Sequence, residues 1–269
     1  MDTFIWVARL GDKGVTDRDA RRCPDTCPKV QTGLVSGVGA SIAVLAAANV
    51  LNNRLLPRAY VPTSVATSLV LLALARRHGL TSEDLGLGRR TWARGLTWAS
   101  GSVTAVGSVY AAAAALPATR SAFADRRARE SPGGVAFQAL GPVLFGTVLL
   151  EEVGFRGVLW GLLNRRHGPG VATVASSVLF GLWHILPSRD MGRHNDAIGR
   201  VFGTGPGSRP AIVASAVAAT ATAGVVLGEL RRRSGSLIAP AGLHWATNGL
   251  GYVVSYLSGS TEVRRPTAA

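Results

Sequence analysis

Charge is scarce in this chain, and cysteine is nearly absent. Of 269 residues only 16% are charged, against roughly 25% in an average soluble domain, which argues against an ordinary soluble fold. The two cysteines, Cys23 and Cys27, lie in a polar stretch with basic flanks. Two thiols cannot complete a four-ligand zinc site, and basic flanks of this kind suit a reducing compartment, where a disulfide is not expected. No functional role is expected of either. There is no Gly-x-Ser-x-Gly elbow, and neither cysteine falls in an apolar segment, so serine and cysteine nucleophiles are poor candidates. A phosphate loop ending in Gly-Lys-Ser/Thr is missing, as is the His-Glu-x-x-His pair of common zinc proteases. No apolar core of 7–15 residues follows Met1, so no cleavable signal peptide is expected.

What is present is apolar and arginine-rich. Hydrophobic residues make up 47% of the chain and mean hydropathy is +0.25. They are gathered into blocks of about 17–24 residues, the length that crosses a bilayer. Net charge is +14 and the isoelectric point is about 11.4. The arginines sit at the ends of apolar blocks, where membrane anchoring and anionic lipid explain them. No basic surface interleaved with aromatics suggests nucleic acid as a partner.

The spacing of blocks and breakers predicts an all-α, polytopic transmembrane helix bundle of about seven spans plus one interfacial amphipathic segment. Residues 1–32 read as a polar, basic tail. Residues 33–132 read as accessory transmembrane helices, with spans at 33–51, 60–75 and 95–116. Between the last two, residues 79–94 combine Leu80, Leu85 and Leu87 with Thr81, Ser82, Glu83 and Asp84, an amphipathic helix or turn at the membrane surface. Residues 133–257 read as a second group of spans at 133–164, 171–186, 210–230 and 236–257, broken at Asn164–Gly170 and at Arg231–Gly235. Residues 258–269 form a polar tail. Arginine and lysine outside the spans number 16 on the side of the N-terminus and 12 on the other, a small excess favouring a cytoplasmic N-terminus.

The sequence is organised around Glu151-Glu152-Val153-Gly154-Phe155-Arg156, at the end of an apolar run. A charge in such a place costs roughly 2.5–3.5 kcal/mol on insertion scales, so it tends to be paired and functional. Glu152 and Arg156 are four apart and share a helix face. Glu151 points about 100° away and is left without an i+4 partner. A structural ion pair would explain Glu152 and Arg156 but not the second glutamate. Two further polar positions fall on separate apolar helices: His184, four residues after Phe180, and His244, four residues before Asn248. Each histidine alone is readily explained as a helix–helix hydrogen bond. Together they put two carboxylates, two imidazoles and an amide within reach of one pocket. A glutamate and a histidine can hold and deprotonate a water, and a histidine with an asparagine can donate to an oxyanion. The same atoms allow a metal reading, with Glu151, His184 and His244 as zinc ligands and one open position. Trp183 and Trp245, beside the two histidines, read as packing or interface aromatics. His78, His167 and His194 read as having no catalytic part.

The order Glu-Glu-x-x-x-Arg, Phe-x-x-x-His, His-x-x-x-Asn resembles the CPBP (CAAX protease and bacteriocin-processing, Abi) intramembrane protease family, to which the type II CAAX prenyl endopeptidase belongs. The resemblance covers about residues 133–257, and Gly228 to Pro240 looks like the family's approach to its last motif. It implies an intramembrane endopeptidase of a bacterial cytoplasmic membrane acting on a membrane-embedded or membrane-associated protein or peptide. By analogy Glu151 and His184 activate water, His244 and Asn248 form the oxyanion site, and Glu152 and Arg156 position the helix. It implies no cofactor, with zinc as the rival description. Two other uses of such a pocket stay open: a non-catalytic membrane scaffold that binds a partner protein, and a proton-coupled carrier.

In this topology Glu151 and His244 fall near mid-membrane, whereas His184 falls at the outer end of its helix. That mismatch in depth is a further expectation for the structure to answer.

Overall fold

A computed structural model describes residues 28–116, 119, 131–194 and 196–263. Cys23, Cys27, most of the 1–32 tail, nearly all of the 118–132 connection and the far C-terminal tail lie outside the described residues. Among those described there is no strand, and helices account for nearly everything. The chain is a helical membrane bundle. Three stretches, Pro57–Arg77, Pro132–Ser188 and Pro206–Ser234, are long and apolar enough to cross a membrane.

The long helices are α1 (Pro28–Val50), α2 (Tyr60–Arg77) and α3 (Trp92–Ala115). After α4 (Pro132–Leu140) the chain does not stop but winds on in wide π turns over Pro142–Val148, passes through a short α segment at Leu149–Glu151, and widens again over Glu152–Leu159. It then tightens into α5 (Trp160–Trp183). Within α5 the path breaks at Gly168, whose φ of 79° and ψ of 170° are not helical, directly before Pro169. Only glycine adopts that φ without strain, and proline cannot accept a helical residue before it without clash. The chain reverses there, at the break expected from Asn164–Gly170. Helices α6 (Arg209–Ser234) and α7 (Ile238–Val263) complete the bundle. Gly235 closes α6 in the left-handed conformation, its N–H bonded to the Arg231 carbonyl, the common glycine ending of a helix.

Outward faces carry the large apolar side chains, among them Leu69, Val109, Phe137 and Val174, all more than half exposed. Ser41, Ser64, Ser68, Ser176 and Ser177 are buried. Small residues let membrane helices approach closely. At Gly181 two helices meet backbone to backbone: an added Cβ would lie 2.7 Å from the Val217 carbonyl oxygen of α6.

Two asparagines at the end of α1 tie it to α5 and to α2. Asn49 donates to the Trp183 carbonyl at 2.7 Å, and Asn52 donates to Ser64 Oγ at 3.0 Å while accepting from Thr63. The amphipathic segment takes the turn form. Leu80 and Leu85 are fully buried in the main core, while Leu87 faces outward. Thr81 and Asp84 cap one another, Thr81 N–H donating to Asp84 Oδ2 at 2.7 Å.

Candidate active site

The π turns bring Glu151 to the floor of a cavity of about 910 Å³. Phe137, Gln138, Pro142, Val143, Thr147 and Glu151 all line it. They recur at intervals of four to five residues, which the wider winding keeps on one wall. Helical widening of this sort tends to occur at functional sites. The rest of the lining comes from Asn52 to Pro62, Tyr110, Trp183 to Pro187, and Thr247 to Ser255. These are the end of α1 and start of α2, the late part of α3, the end of α5 and the later part of α7. The cavity therefore opens at one end of the bundle, the end that carries the 52–59 connection.

The arm of α5 after Gly168 is only about 15 residues, roughly 22 Å at 1.5 Å per residue, shorter than a bilayer core of about 30 Å. It ends at the buried Trp183, with the half-buried His184 directly after it. Short helices at Ile185–Ser188, Met191–His194 and Asp196–Phe202 continue from there.

The six expected residues lie in one cluster. Glu152 Oε1 accepts from Arg156 Nη1 at 3.4 Å and from His244 Nδ1 at 2.7 Å. Arg156 is almost completely buried, and its guanidinium lies 3.9 Å from the centroid of the Phe180 ring, a cation–π contact that offsets part of its desolvation. Glu151 is buried but not paired in this way. Its Oε1 accepts from Trp183 Nε1 at 3.0 Å. Its Oε2 has no hydrogen-bond partner and stands 3.7 Å from His244 Nε2 and 4.0 Å from His184 Nε2. Asn248, one turn beyond His244 on α7, lines the cavity beside Glu151 and His184.

Hydrogen-bond roles follow from the partners. His184 Nδ1 lies 2.8 Å from the Phe180 carbonyl oxygen, which can only accept, so Nδ1 carries the proton. His244 Nδ1 faces a carboxylate, so it donates as well. In their neutral forms both imidazoles then turn a lone pair at Nε2 towards Glu151 Oε2, itself an acceptor. Three acceptors converge on a gap of 3.7–4.0 Å. Such a gap is too long for a direct hydrogen bond and leaves room for a bridging water molecule as the donor. Charge points the same way. Two carboxylates and one guanidinium leave a net negative charge, and buried charges are stable when compensated. A proton on one imidazole neutralises the cluster.

The aromatic frame holds these groups in place. Phe180 meets His184, His244 and Phe155 edge to face, and Phe155 meets Trp183 in the same way. Trp183 is thus more than the packing aromatic its sequence position suggested, because its indole N–H fixes Glu151. Trp245 donates to the Ala139 carbonyl at 3.0 Å and is a helix–helix contact. Sequence reasoning also passed over Tyr60, Asn49 and Asn52, on helices outside the motif region. Only the neighbourhood of His184 could have pointed to Trp183. No sequence signal marks the others, because their contacts are made across the fold.

A metal centre would gather Glu151, His184 and His244 around one ion. Two tetrahedral zinc ligands, each about 2.0–2.1 Å from the metal, lie roughly 3.4 Å apart, and both imidazole nitrogens stand wider than that from Oε2. Among the described residues no group of three His, Cys, Asp or Glu side chains is arranged to hold a metal ion.

Comparison with known protein families matches residues 133–250 to the type II CAAX prenyl endopeptidase Rce1-like family. No curated protein and no solved structure matches the chain.

Proposed function

Residues 133–250 belong to the type II CAAX prenyl endopeptidase Rce1-like family, and from that premise we propose that this protein is an intramembrane endopeptidase whose nucleophile is a water held between Glu151 and His184. The observation that carries the reading is the unpartnered Glu151 Oε2, faced by two imidazole nitrogens whose opposite nitrogens are already bound.

Glu151 Oε2 and His184 Nε2 each accept a hydrogen from the water, which aligns an oxygen lone pair toward the substrate carbonyl carbon. Glu151 takes one proton as the oxygen attacks. His244, protonated and with Nδ1–H on Glu152, presents Nε2–H to the oxyanion, and the Asn248 amide supplies a second donor. The proton held on Glu151 then passes to the leaving nitrogen as the C–N bond breaks. The hydrogen remaining on the attacking oxygen passes to His184 Nε2, so the products are a carboxylate and an amine, with one proton left on the imidazole. Arg156 pairs with Glu152, whose other contact is His244 Nδ1, and so keeps His244 oriented. Trp183 holds Glu151 Oε1, leaving Oε2 as the reactive oxygen. The substrate is a membrane-associated protein or peptide, entering a cavity that begins among exposed apolar side chains and ends in this polar cluster.

The test uses purified protein in detergent and in liposomes with a library of quenched-fluorescent peptides. Cleavage by the wild type that survives chelator, and is lost in both Glu151→Ala and His184→Ala while folding is retained, is the expected result. Stoichiometric zinc with chelator-sensitive cleavage would replace the water held by two side chains with a metal-bound one. A folded wild type that cleaves nothing in the library would favour the scaffold.

A further inference from the structure

Tyr60 stands at the start of α2, outside the family-matched segment, yet its side chain lines the same cavity as Glu151, His184 and Asn248. The wall opposite is shaped to receive it. At Gly146 an added Cβ would lie 2.5 Å from Tyr60 Cε1 and 2.7 Å from Cδ1, so the ring sits flush on bare backbone. The next residue, Thr147, meets the phenol: its Oγ1 is 2.9 Å from Tyr60 Oη. Four residues further along the same wall is Glu151. Glycine for the ring, threonine for the hydroxyl and the reactive carboxylate one turn beyond form a single line.

A phenol is both donor and acceptor. Either hydroxyl can donate in this pair, and when Thr147 donates, the Tyr60 O–H is free to point into the cavity. The position along the wall says what it would meet. Thr147 precedes Glu151 by four residues, about one helical turn or roughly 5.4 Å along the wall. An extended peptide advances about 3.3–3.6 Å per residue. A donor displaced by that much addresses a backbone carbonyl one or two residues from the bond being cut, not the reacting carbonyl itself.

We propose that Tyr60 is a substrate-binding residue, donating from its hydroxyl to a peptide carbonyl one or two residues from the scissile bond, with Thr147 and Gly146 fixing the ring. This rests on the endopeptidase reading above. Its effect belongs to binding shared by ground and transition states, so it appears in KM more than in kcat.

The experiment uses the quenched-fluorescent peptide that the wild type cleaves and Glu151→Ala does not. Tyr60→Phe keeps the ring against Gly146 and removes only the hydroxyl. It is expected to lower kcat/KM about tenfold, mostly through KM, with thermal stability unchanged. Replacing single peptide carbonyls by thioamides, which accept hydrogen bonds weakly, is expected to cost the wild type about as much at one position near the scissile bond. In Tyr60→Phe the same thioamide costs nothing further. Kinetics of Tyr60→Phe within twofold of wild type, or a thioamide penalty equal in both proteins, would overturn the assignment while leaving the endopeptidase reading intact. If Tyr60→Phe does not fold, the thioamide scan of the wild type still decides, since no sensitive carbonyl means no such donor. A wild type that cleaves no peptide overturns the endopeptidase reading, and the role of Tyr60 with it.

Discussion

The two ends of the bundle each bury an arginine, and they use it in opposite ways. At the cavity end Arg156 faces a carboxylate, Glu152, which is shared with His244. The hydrogen bonding there is incomplete: Glu151 Oε2, Glu152 Oε2 and Arg156 Nη2 are buried without partners. At the far end Arg231 faces neutral backbone. Its Nη2 donates to the Asp84 carbonyl at 2.8 Å and the Glu83 carbonyl at 3.3 Å, and its guanidinium lies 5.0 Å from the centroid of the Trp160 ring. Around it Leu80 and Leu85 fill the bundle, Leu237 N–H bonds the Gly86 carbonyl, and Arg94 donates to the Ser234 carbonyl. The far end ties a loop shut. The cavity end leaves three buried polar atoms without partners, against one, Arg231 Nε, at the far end. Buried groups without partners cost stability, so their concentration around Glu151 marks where stability gives way to chemistry.

The contrast breaks most sharply at Glu151. Glu151→Gln keeps size and the bond from Trp183 but cannot take a proton. Peptide cleavage is expected to fall by about 10²–10⁴-fold, with the melting temperature in detergent unchanged or raised. A loss of folding instead would make Glu151 structural and erase the difference between the ends. Next in size is Arg156→Ala, which strands Glu152 as a buried charge. Removing one partner of a buried pair typically costs about 3–5 kcal/mol. The expected result is a marked drop in thermal stability together with lost cleavage, because His244 loses its fixed acceptor. Arg231→Met sharpens the comparison from the other side. It removes bonds to two carbonyls but keeps much of the apolar stem, and each lost bond from a charged donor is worth about 1.5–3 kcal/mol. Thermal stability should fall while kcat/KM of the folded fraction stays within about twofold. A fall in kcat/KM comparable to that of Arg156→Ala would show that the two ends are coupled.

Much of this was legible in the residues before any coordinates. Proline, glycine and arginine clusters set the helix ends, and Gly168-Pro169 marks the reversal that α5 shows. The Glu152–Arg156 pair follows from i,i+4 geometry. The six polar residues were selected because each lies on an apolar helix where polarity is costly. What was not legible depends on winding and on distance along the chain. No composition signal announces the π turns of Pro142–Val148 and Glu152–Leu159, yet they decide which side chains share the cavity wall. Asn49 reaches the Trp183 carbonyl across 134 residues, and Tyr60 meets Thr147 across 87. A local pattern carries no information about such partners. Of the leucines of residues 79–94 read as one apolar side, Leu80 and Leu85 share the inward face and Leu87 faces outward. Whether that face would lie on lipid or turn inward depended on Arg231, almost 150 residues away.

The smallest expected effect tests the finest distinction at the cavity end, that between the two oxygens of Glu151. Trp183 Nε1–H occupies Oε1, and Oε2 is open. Trp183→Phe retains an aromatic ring against Phe155 but removes the donor. Without it the carboxylate can rotate about its last bond, so that either oxygen faces the imidazoles and the productive orientation is no longer fixed. One hydrogen bond to a charged group is worth about 1.5–3 kcal/mol, but solvent entering from the cavity recovers part of it. The expected outcome is a fall in kcat of about tenfold with KM nearly unchanged, since the bond orients a catalytic group and not the substrate. A change confined to KM would move Trp183 to the substrate-binding wall beside Tyr60. An equal kcat in wild type and variant would mean that the His184 and His244 nitrogens alone orient Glu151. In that case the aromatic frame belongs with the leucines and the arginine of the far end, as packing.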